Sequence, residues 1–309
     1  MSLTVVIPTY NRGQVLLDTI SMLLKQNDRV DEIIIVDQTR YVNHDPIFQT
    51  LKSYEKNGDI RFIQRQQPSI PIAMNVGLLL AQSDFVLFLD DDINIKPDFI
   101  EQHRTVIQEH SGLAHVGQVL QPNEEPGLLD PSYRPGQGLY QDLNFLFSSS
   151  KPALIKNCMA GNLCVNRLKA LEVGGFDENF IGVAYRFETE FCRRMCRYHN
   201  DDFYFSPKPV LYHLQNPTGG TRNSDHFLTS SSLRHSVGDY YYALSEGVMS
   251  ESLLYCCKRF LSSIKAKFYL QEPWYIPQRL FAEARGWMKA WSLYRQGPKY
   301  CSKKSLGDL

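Results

Sequence analysis

The sequence predicts an α/β fold: a mostly parallel, doubly wound sheet flanked by helices, followed by a helical C-terminal extension. Short apolar segments alternate with stretches of helical periodicity over the first 120 residues. This order is typical of parallel strands joined by crossover helices. Two of the apolar segments end in an acid, at Asp37 and Asp90. From Ser224 onward the sequence is helical and aromatic, with no further strand signals.

The elements follow from hydrophobic periodicity and from turn residues. Predicted strands cover residues 3–7, 32–36, 60–64, 85–89, 114–120 and 203–211. Predicted helices cover residues 13–26, 45–56, 72–81, 98–110 and 186–198. Pro207 and Pro209 interrupt the last strand, so we expect it near an edge of the sheet. Residues 121–150 are rich in Pro, Gly, Asn and Ser and predict a long surface loop, a common place for substrate contacts.

Three consecutive carboxylates, Asp90, Asp91 and Asp92, follow the most apolar strand directly. Like charges this close raise each other's pKa, so a positive partner is expected. Oxygen ligands suit Mg²⁺ or Mn²⁺, and the carboxyl edge of an open α/β sheet is where ligands bind. The alternative is a solvated acidic turn or a helix cap, with Asp92 capping a helix that begins near Pro97.

Composition excludes several classes of protein. The chain has 33 basic and 33 acidic residues, which gives no support for nucleic-acid binding. No GxGxxG follows the first strand and no GxxxxGK[ST] occurs, so neither a dinucleotide enzyme nor a P-loop protein is expected. Seven cysteines without a CxxC pair indicate reduced thiols in a cytoplasmic protein. We find no signal-peptide pattern and no apolar stretch near the roughly 20 residues of a membrane span.

Five segments, in this order, resemble the family 2 glycosyltransferases. They are residues 6–12 (VIPTYNR), 35–39 (IVDQT), 73–77 (AMNVG), 88–92 (FLDDD) and 174–180 (GGFDENF). The resemblance covers roughly residues 3–215. It implies a GT-A (Rossmann-like) fold and transfer of a sugar from a nucleotide-diphosphate donor to an acceptor hydroxyl. It also implies a catalytic domain over 1–223, with a nucleotide-binding part (1–120) and an acceptor-side part (121–223), ahead of an extension over 224–309.

The resemblance also implies roles for individual residues. Asp90 and Asp92 would hold Mn²⁺ or Mg²⁺ in a DxD-like motif, and Asp91 could replace either. Asp37 would accept a hydrogen bond from the base or ribose, and Asn75 would orient the acidic loop or only cap its helix. The pocket for the nucleotide base would be lined by Pro8, Thr9, Tyr10 and Arg12.

The catalytic base is expected between residues 186 and 194, where this chain reads RFETEFCRR. The family commonly has Glu-Asp there, and counting back from Arg194 puts Glu188 in the place of the basic Asp. Glu190 points about 200° further around the helix, so the two cannot share one role. We expect Glu188 to be the base, with Glu190 as the alternative. One base and no nucleophile predict a single, inverting displacement.

Other residues carry two interpretations each. His213 would complete the metal shell or be satisfied locally, and Arg222 would close on the diphosphate or lie in a solvent-facing turn. Gly161 and Asn162 would contact the acceptor or form a structural turn. The C-terminal region has 11 Lys/Arg and 4 Asp/Glu after residue 250, against 22 and 29 before it. Its helices would cap the catalytic domain, lie on the inner face of the cell membrane, or bind a protein partner.

We therefore expect a metal-dependent, inverting glycosyltransferase with a carbohydrate or lipid-linked acceptor, working in cell-surface polysaccharide or glycolipid assembly. Two alternatives stay open at this point. One is a catalytically silent member that binds sugar nucleotides or partner proteins. The other is a sugar nucleotidyltransferase, although such enzymes usually carry a Gly- and Lys-rich first loop, which residues 8–12 are not.

Overall fold

A computed structural model describes residues 1–42, 44–110, 112–127, 135–221 and 228–302. In these ranges the strands are β1 (Leu3–Thr9), β2 (Glu32–Asp37), β3 (Arg61–Gln64), β4 (Phe85–Leu89), β5 (Ile93–Ile95), β6 (Ala114–Leu120), β7 (Ala153–Ile155), β8 (Asn162–Asn166) and β9 (Phe203–His213). The helices are α1 (Gln14–Leu24), α2 (Pro46–Asn57), α3 (Ile70–Leu80), α4 (Phe99–Glu109), α5 (Arg167–Glu172), α6 (Phe187–His199), α7 (Val237–Glu246), α8 (Met249–Ser262), α9 (Phe268–Gln271) and α10 (Tyr275–Gln296).

The described strands form one sheet in the order β3-β2-β1-β4-β8-β6-β9-β5, with β7 also paired to β9. Strands β3, β2, β1 and β4 run parallel, as predicted for a doubly wound half. The other half is mixed, because β8 lies antiparallel between β4 and β6. The α/β fold with flanking helices is confirmed, and the short strands β5, β7 and β8 are additions that the periodicity did not predict.

The sheet has an apolar core on each face. Val6 and Phe88 face one core, whereas Val5 and Leu87 face the other, as the alternation of side chains along a strand requires. All five residues of β4 are buried. The continuous apolar run before Asp90 therefore exists because helices cover both faces of that strand.

The proline-containing strand lies near an edge of the sheet, as predicted, because only the short strands β5 and β7 lie beyond it. Strand β9 pairs with β6 on one side and with β5 and β7 on the other. Its two prolines lie where the register with β6 shifts between Gly117 and Gln118. A bulge tolerates residues without an N–H donor, so β9 keeps both neighbours despite Pro207 and Pro209.

Helices α7 and α10 pack against each other, and α7 also packs on α6. Tyr240, Tyr241 and Tyr242 are buried on α7, as the helical-cap interpretation predicts. Their hydroxyls donate to Glu283 (2.6 Å), Asp177 (2.6 Å) and the carbonyl of Leu139 (2.7 Å). The predicted boundary at 223/224 lies outside the described residues. No helix within the described ranges is long and apolar enough to cross a membrane.

Candidate active site at the carboxyl edge of the sheet

A cavity of about 420 Å³ opens at the carboxyl ends of β1 and β4. Most of the residues predicted for the site lie together on its wall, although they come from four separate parts of the chain. These are Pro8, Thr9, Tyr10, Arg12, Asp90, Asp91, Asp92, Glu188 and His213. Parallel strands place their carboxyl ends at one edge, and β9 brings His213 there through its pairing with Ile93 of β5.

Asp90, Asp92 and His213 converge at one point of this wall. His213 Nε2 lies 3.1 Å from Asp92 Oδ1 and 3.8 Å from Asp90 Oδ2. Burial alone would raise the pKa of Asp92, but His213, Arg12 and the backbone N–H of Asn216 together hold it below its ordinary value. Burial would lower the pKa of His213, but the two aspartates raise it. The helix-cap interpretation of Asp92 was wrong, because β5 follows it immediately.

The donor set fits a divalent cation. Asp92 Oδ1 is buried and accepts no hydrogen bond of good geometry, although His213 Nε2 is close to it. Such an orphaned carboxylate oxygen beside an imidazole nitrogen is what a metal would satisfy, and two carboxylates with one imidazole suit Mn²⁺ or Mg²⁺. Within the described residues, no group of three or more His, Cys, Asp or Glu side chains is placed so that it could hold a metal ion as it stands. His213 would have to move off Asp92 to admit an ion.

Arg12 holds the acidic segment to a second loop. Its Nε donates to Asp91 Oδ1 at 2.8 Å, and its Nη2 lies 3.3 Å from Asp92 Oδ2. Its Nη1 donates to the carbonyls of Asn216 (3.0 Å) and Thr218 (2.8 Å). Burial raises the pKa of Asp91 to about 7 against the opposing effect of Arg12. Asp91 is therefore paired with Arg12, whereas Asp90 and Asp92 lie beside His213.

The loop of residues 214–221 lies against the turn that follows β1, at residues 10–12. Asn216 N–H donates to Asp92 Oδ2 (2.9 Å), and Gly220 N–H donates to the carbonyl of Tyr10 (2.8 Å). A Cβ on Gly219 would lie 2.2 Å from the carbonyl oxygen of Asn11, so only glycine permits this approach. Arg222, predicted to close on the diphosphate, lies outside the described residues.

Two further residues shape the acidic wall. Gln121 was not predicted from the sequence, and the role of Gly161 was left open. Gln121 Oε1 lies 3.1 Å from His213 Nδ1 and accepts from Gln215 Nε2 at 2.7 Å. Its position directly after β6 was a usable signal, because the acids at 37 and 90 also follow strands. A Cβ on Gly161 would lie 2.2 Å from Asp90 Oδ2, so this glycine makes room for the carboxylate.

Glu188 and Glu190 have different surroundings, as their helical separation predicts. Glu188 lies in the first turn of α6 and lines the cavity. Glu190 is buried and forms a two-point ion pair with Arg194, at 2.6 and 2.9 Å. Arg194 also donates to the carbonyls of Val173 and Gly175. Glu190 is therefore not placed to act on a substrate. Its ion pair with Arg194 holds α6 against the turn at Gly174 and Gly175, called the glycine turn below.

Two more of the predicted site residues, Asn75 and Asp37, are not on the cavity wall. Both Asn75 interpretations were wrong, because its amide donates to the carbonyl of Phe176 (2.9 Å) and to Glu178 Oε1 (3.2 Å) and accepts from Phe176 N–H (2.8 Å). It joins α3 to the glycine turn instead. Asp37 is fully buried and accepts from Thr39 N–H (2.8 Å) and the Tyr41 hydroxyl. Its neighbour Gln38 lines the cavity.

The sequence profile described as Glycosyl transferase family 2 matches residues 4–172, more than half of the chain. The chain belongs to glycosyl transferase family 2. This match covers the parallel half of the sheet, the acidic segment and β8.

Individual relatives agree with the family. The chain is 28% identical over 120 residues to a hyaluronan synthase of Pasteurella multocida, covering 38% of this chain and 12% of that protein. It is 30% identical over 182 residues to a GalNAc(5)-diNAcBac-PP-undecaprenol beta-1,3-glucosyltransferase of Campylobacter jejuni, covering 58% and 56%. The matched segment therefore spans less than two thirds of either relative.

A solved structure extends the similarity of fold beyond the family segment. The structure of residues 1–349 of S. aureus TarS in complex with UDP-GlcNAc superposes with a TM-score of 0.59 at 16% identity. The superposition covers 97% of this chain and 93% of that one, so the likeness in fold includes the C-terminal helices.

Proposed function

We propose that this chain is a metal-dependent, inverting glycosyltransferase that moves a sugar from a nucleoside diphosphate to an acceptor hydroxyl. The observation that carries the proposal is the common cavity of Glu188, Asp90, Asp92 and His213. A base on one wall and a cation-binding group on another are the two functions that such a transfer requires.

Each wall has a distinct task in this proposal. Glu188 accepts the proton of the acceptor hydroxyl as that oxygen attacks the anomeric carbon and the bond to the diphosphate breaks. The nucleotide lies along Pro8, Thr9, Tyr10 and Gln38. Asp90, Asp92 and His213 would hold Mn²⁺ or Mg²⁺, which when bound offsets the charge that develops on the leaving diphosphate. Because the cavity offers one base and no covalent nucleophile is assigned, the displacement inverts the anomeric carbon.

The substrate classes are proposed from the relatives. UDP-sugars are the first donors to test, since the TarS complex contains UDP-GlcNAc. A polysaccharide or a lipid-linked glycan is the proposed acceptor, because the relatives are named for hyaluronan and for an undecaprenol-linked substrate. Assembly of a cell-surface polysaccharide or glycolipid in the cytoplasm is the matching role. The seven free thiols, of which five are buried, suit that compartment.

The test is donor binding and donor hydrolysis across a panel of sugar nucleotides, with Mn²⁺, Mg²⁺ or EDTA, for the natural chain, Asp92→Ala and Glu188→Gln. Asp92→Ala should lose metal-dependent binding, whereas Glu188→Gln should bind the donor normally and lose at least about 10²-fold in turnover. Glu101→Gln, an exposed acid on α4, is the matched control. Full turnover by Glu188→Gln would refute its role as base, and no donor binding by the natural chain would favour the silent alternative.

A further inference from the structure

The outward face of α10 carries large apolar side chains that nothing in the described chain covers. Trp274, just before the helix, is 65% exposed, Phe281 is 59% exposed, and Met288 is 65% exposed. Trp291 is 38% exposed. In a globular protein such residues are usually scattered singly, whereas these recur along one helix.

The four residues form one stripe. At 3.6 residues per turn, Trp274, Phe281, Met288 and Trp291 fall within an arc of about 100°. The opposite side of the helix is buried against the rest of the protein, through Ala282, Gly286, Ala290 and Leu293. The stripe is therefore a continuous outward surface along a 22-residue helix.

The charges beside the stripe have one sign. Arg285 and Lys289 are exposed on one flank, and the Arg285 guanidinium lies 5.6 Å from the centre of the Phe281 ring. The single acidic residue of α10, Glu283, is fully buried and paired with Arg279, so the face shows no carboxylate.

The segment that leads into α10 continues the same pattern. Leu261 is 62% exposed and Leu270 is 85% exposed. Lys265 and Lys267 lie between them and are also exposed. Exposed apolar and cationic side chains therefore recur from the end of α8 to the end of α10, with the half-buried Glu272 as the acid among them.

The side chains on the outward face of α10 indicate what kind of partner binds there. Tryptophan, phenylalanine and leucine flanked by Lys and Arg are the side chains that enter the boundary between lipid headgroups and acyl chains. The exposed cations of this surface outnumber its one acid outside the buried Glu283, the half-buried Glu272, and such an excess of positive charge is attracted to anionic lipids. A second copy of the chain would bring the same cations face to face, which opposes association.

We propose that the outward face of α10, with residues 261–270 ahead of it, binds an anionic phospholipid surface. The buried tyrosines of α7 fix α10 to the catalytic domain, so binding at this face holds the whole protein at the lipid surface. This proposal goes beyond the proposed function, because adsorption to lipid requires neither a donor sugar nor a metal.

The test is co-sedimentation of the full chain with phosphatidylcholine vesicles, with and without 30 mol% (roughly one lipid in three) phosphatidylglycerol. The natural chain should bind the anionic vesicles at least tenfold more strongly, and high salt should weaken that binding. The double variants Phe281→Ser/Met288→Ser and Arg285→Glu/Lys289→Glu should each lower the partition coefficient about tenfold or more.

Matched controls use exposed residues elsewhere. Leu154→Ser is the apolar control, since Leu154 is 68% exposed on β7, and Lys25→Glu/Lys56→Glu is the charge control. Both should bind within twofold of the natural chain, and circular dichroism should show every variant folded. Lack of binding to anionic vesicles, or equal binding by the α10 variants, overturns the proposal. A concentration-dependent dimer in sedimentation velocity, abolished by the Phe281→Ser/Met288→Ser pair, would assign the face to a second copy and also overturn it.

Discussion

The side-chain oxygen of Gln121 lies 3.1 Å from Nδ1 of His213. Because an amide oxygen only accepts hydrogen bonds, Nδ1 carries the proton of this contact, and Nε2 is left as the nitrogen that faces Asp90 and Asp92 and that would bind an ion once it is deprotonated. Residues that orient a ligating histidine in this way typically change metal affinity by 10- to 100-fold when removed. Gln121 is thus a positioning residue for the proposed cation site.

Gln121→Leu should weaken Mn²⁺ binding about 10- to 100-fold, whereas Gln121→Glu, which keeps an oxygen acceptor, should restore most of it. Titration followed by electron paramagnetic resonance measures the affinity without donor or acceptor. The ¹⁵N shifts of His213 report its tautomer directly. Gln82→Leu, an exposed glutamine, is the control. Equal affinity and an unchanged tautomer in Gln121→Leu would remove the assigned role.

Arg12 is expected to act through the shape of its guanidinium rather than through charge alone. It spans Asp91, Asp92 and two carbonyls of the 214–221 loop, which a lysine ammonium cannot do. Arg12→Lys should raise the donor KM roughly tenfold and speed hydrogen exchange in residues 214–221. Arg40→Lys, an exposed arginine, serves as the control. Unchanged exchange in the loop would show that Arg12 does not hold it.

Gly161→Ala should weaken cation binding while leaving the stability of the fold nearly unchanged. The added Cβ would meet the carboxylate of Asp90, which would have to shift, and the 44% exposure of that side chain leaves room for this on the solvent side. The free energy of unfolding should therefore change by less than about 1 kcal/mol, while the affinity for Mn²⁺ falls by about tenfold or more. In Gly112→Ala the new Cβ makes only an ordinary contact, 3.4 Å from Asp201 Oδ2. Equal metal affinity of the two alanine variants would contradict a role for Asp90 in cation binding.

Glu190→Gln should damage folding, because it leaves Arg194 buried without its partner. Breaking a buried ion pair typically costs about 3–5 kcal/mol, measurable as a lower denaturant midpoint. Glu188→Gln, two residues earlier and facing the cavity, should unfold near the midpoint of the natural chain. Similar stability of the two variants would mean that the Glu190–Arg194 pair contributes little.

The sequence by itself determined the parallel half of the fold and the position of the acidic segment. The continuous apolar run of β4 indicates a strand that is covered on both faces. The acids that follow it therefore lie at the carboxyl edge of the sheet, where ligands bind in such folds. The acids were predicted from this strand, and the first turn and Glu188 from the resemblance of short motifs to family 2 glycosyltransferases. These signals are local, so they can be read without knowing which strands pair.

Only the tertiary structure decided which side chains meet. His213 reaches Asp92 because β9 pairs with β5 across more than a hundred residues of chain, and Arg12 reaches the carbonyl of Asn216 in the same way. Asn75 and Glu190 look functional by motif but are occupied by Phe176 and by Arg194. The aromatics of the C-terminal helices divide into buried and exposed sets only when α7 and α10 pack together. Pairing between distant parts of the chain leaves no local trace in a single sequence, which is why these assignments required the fold.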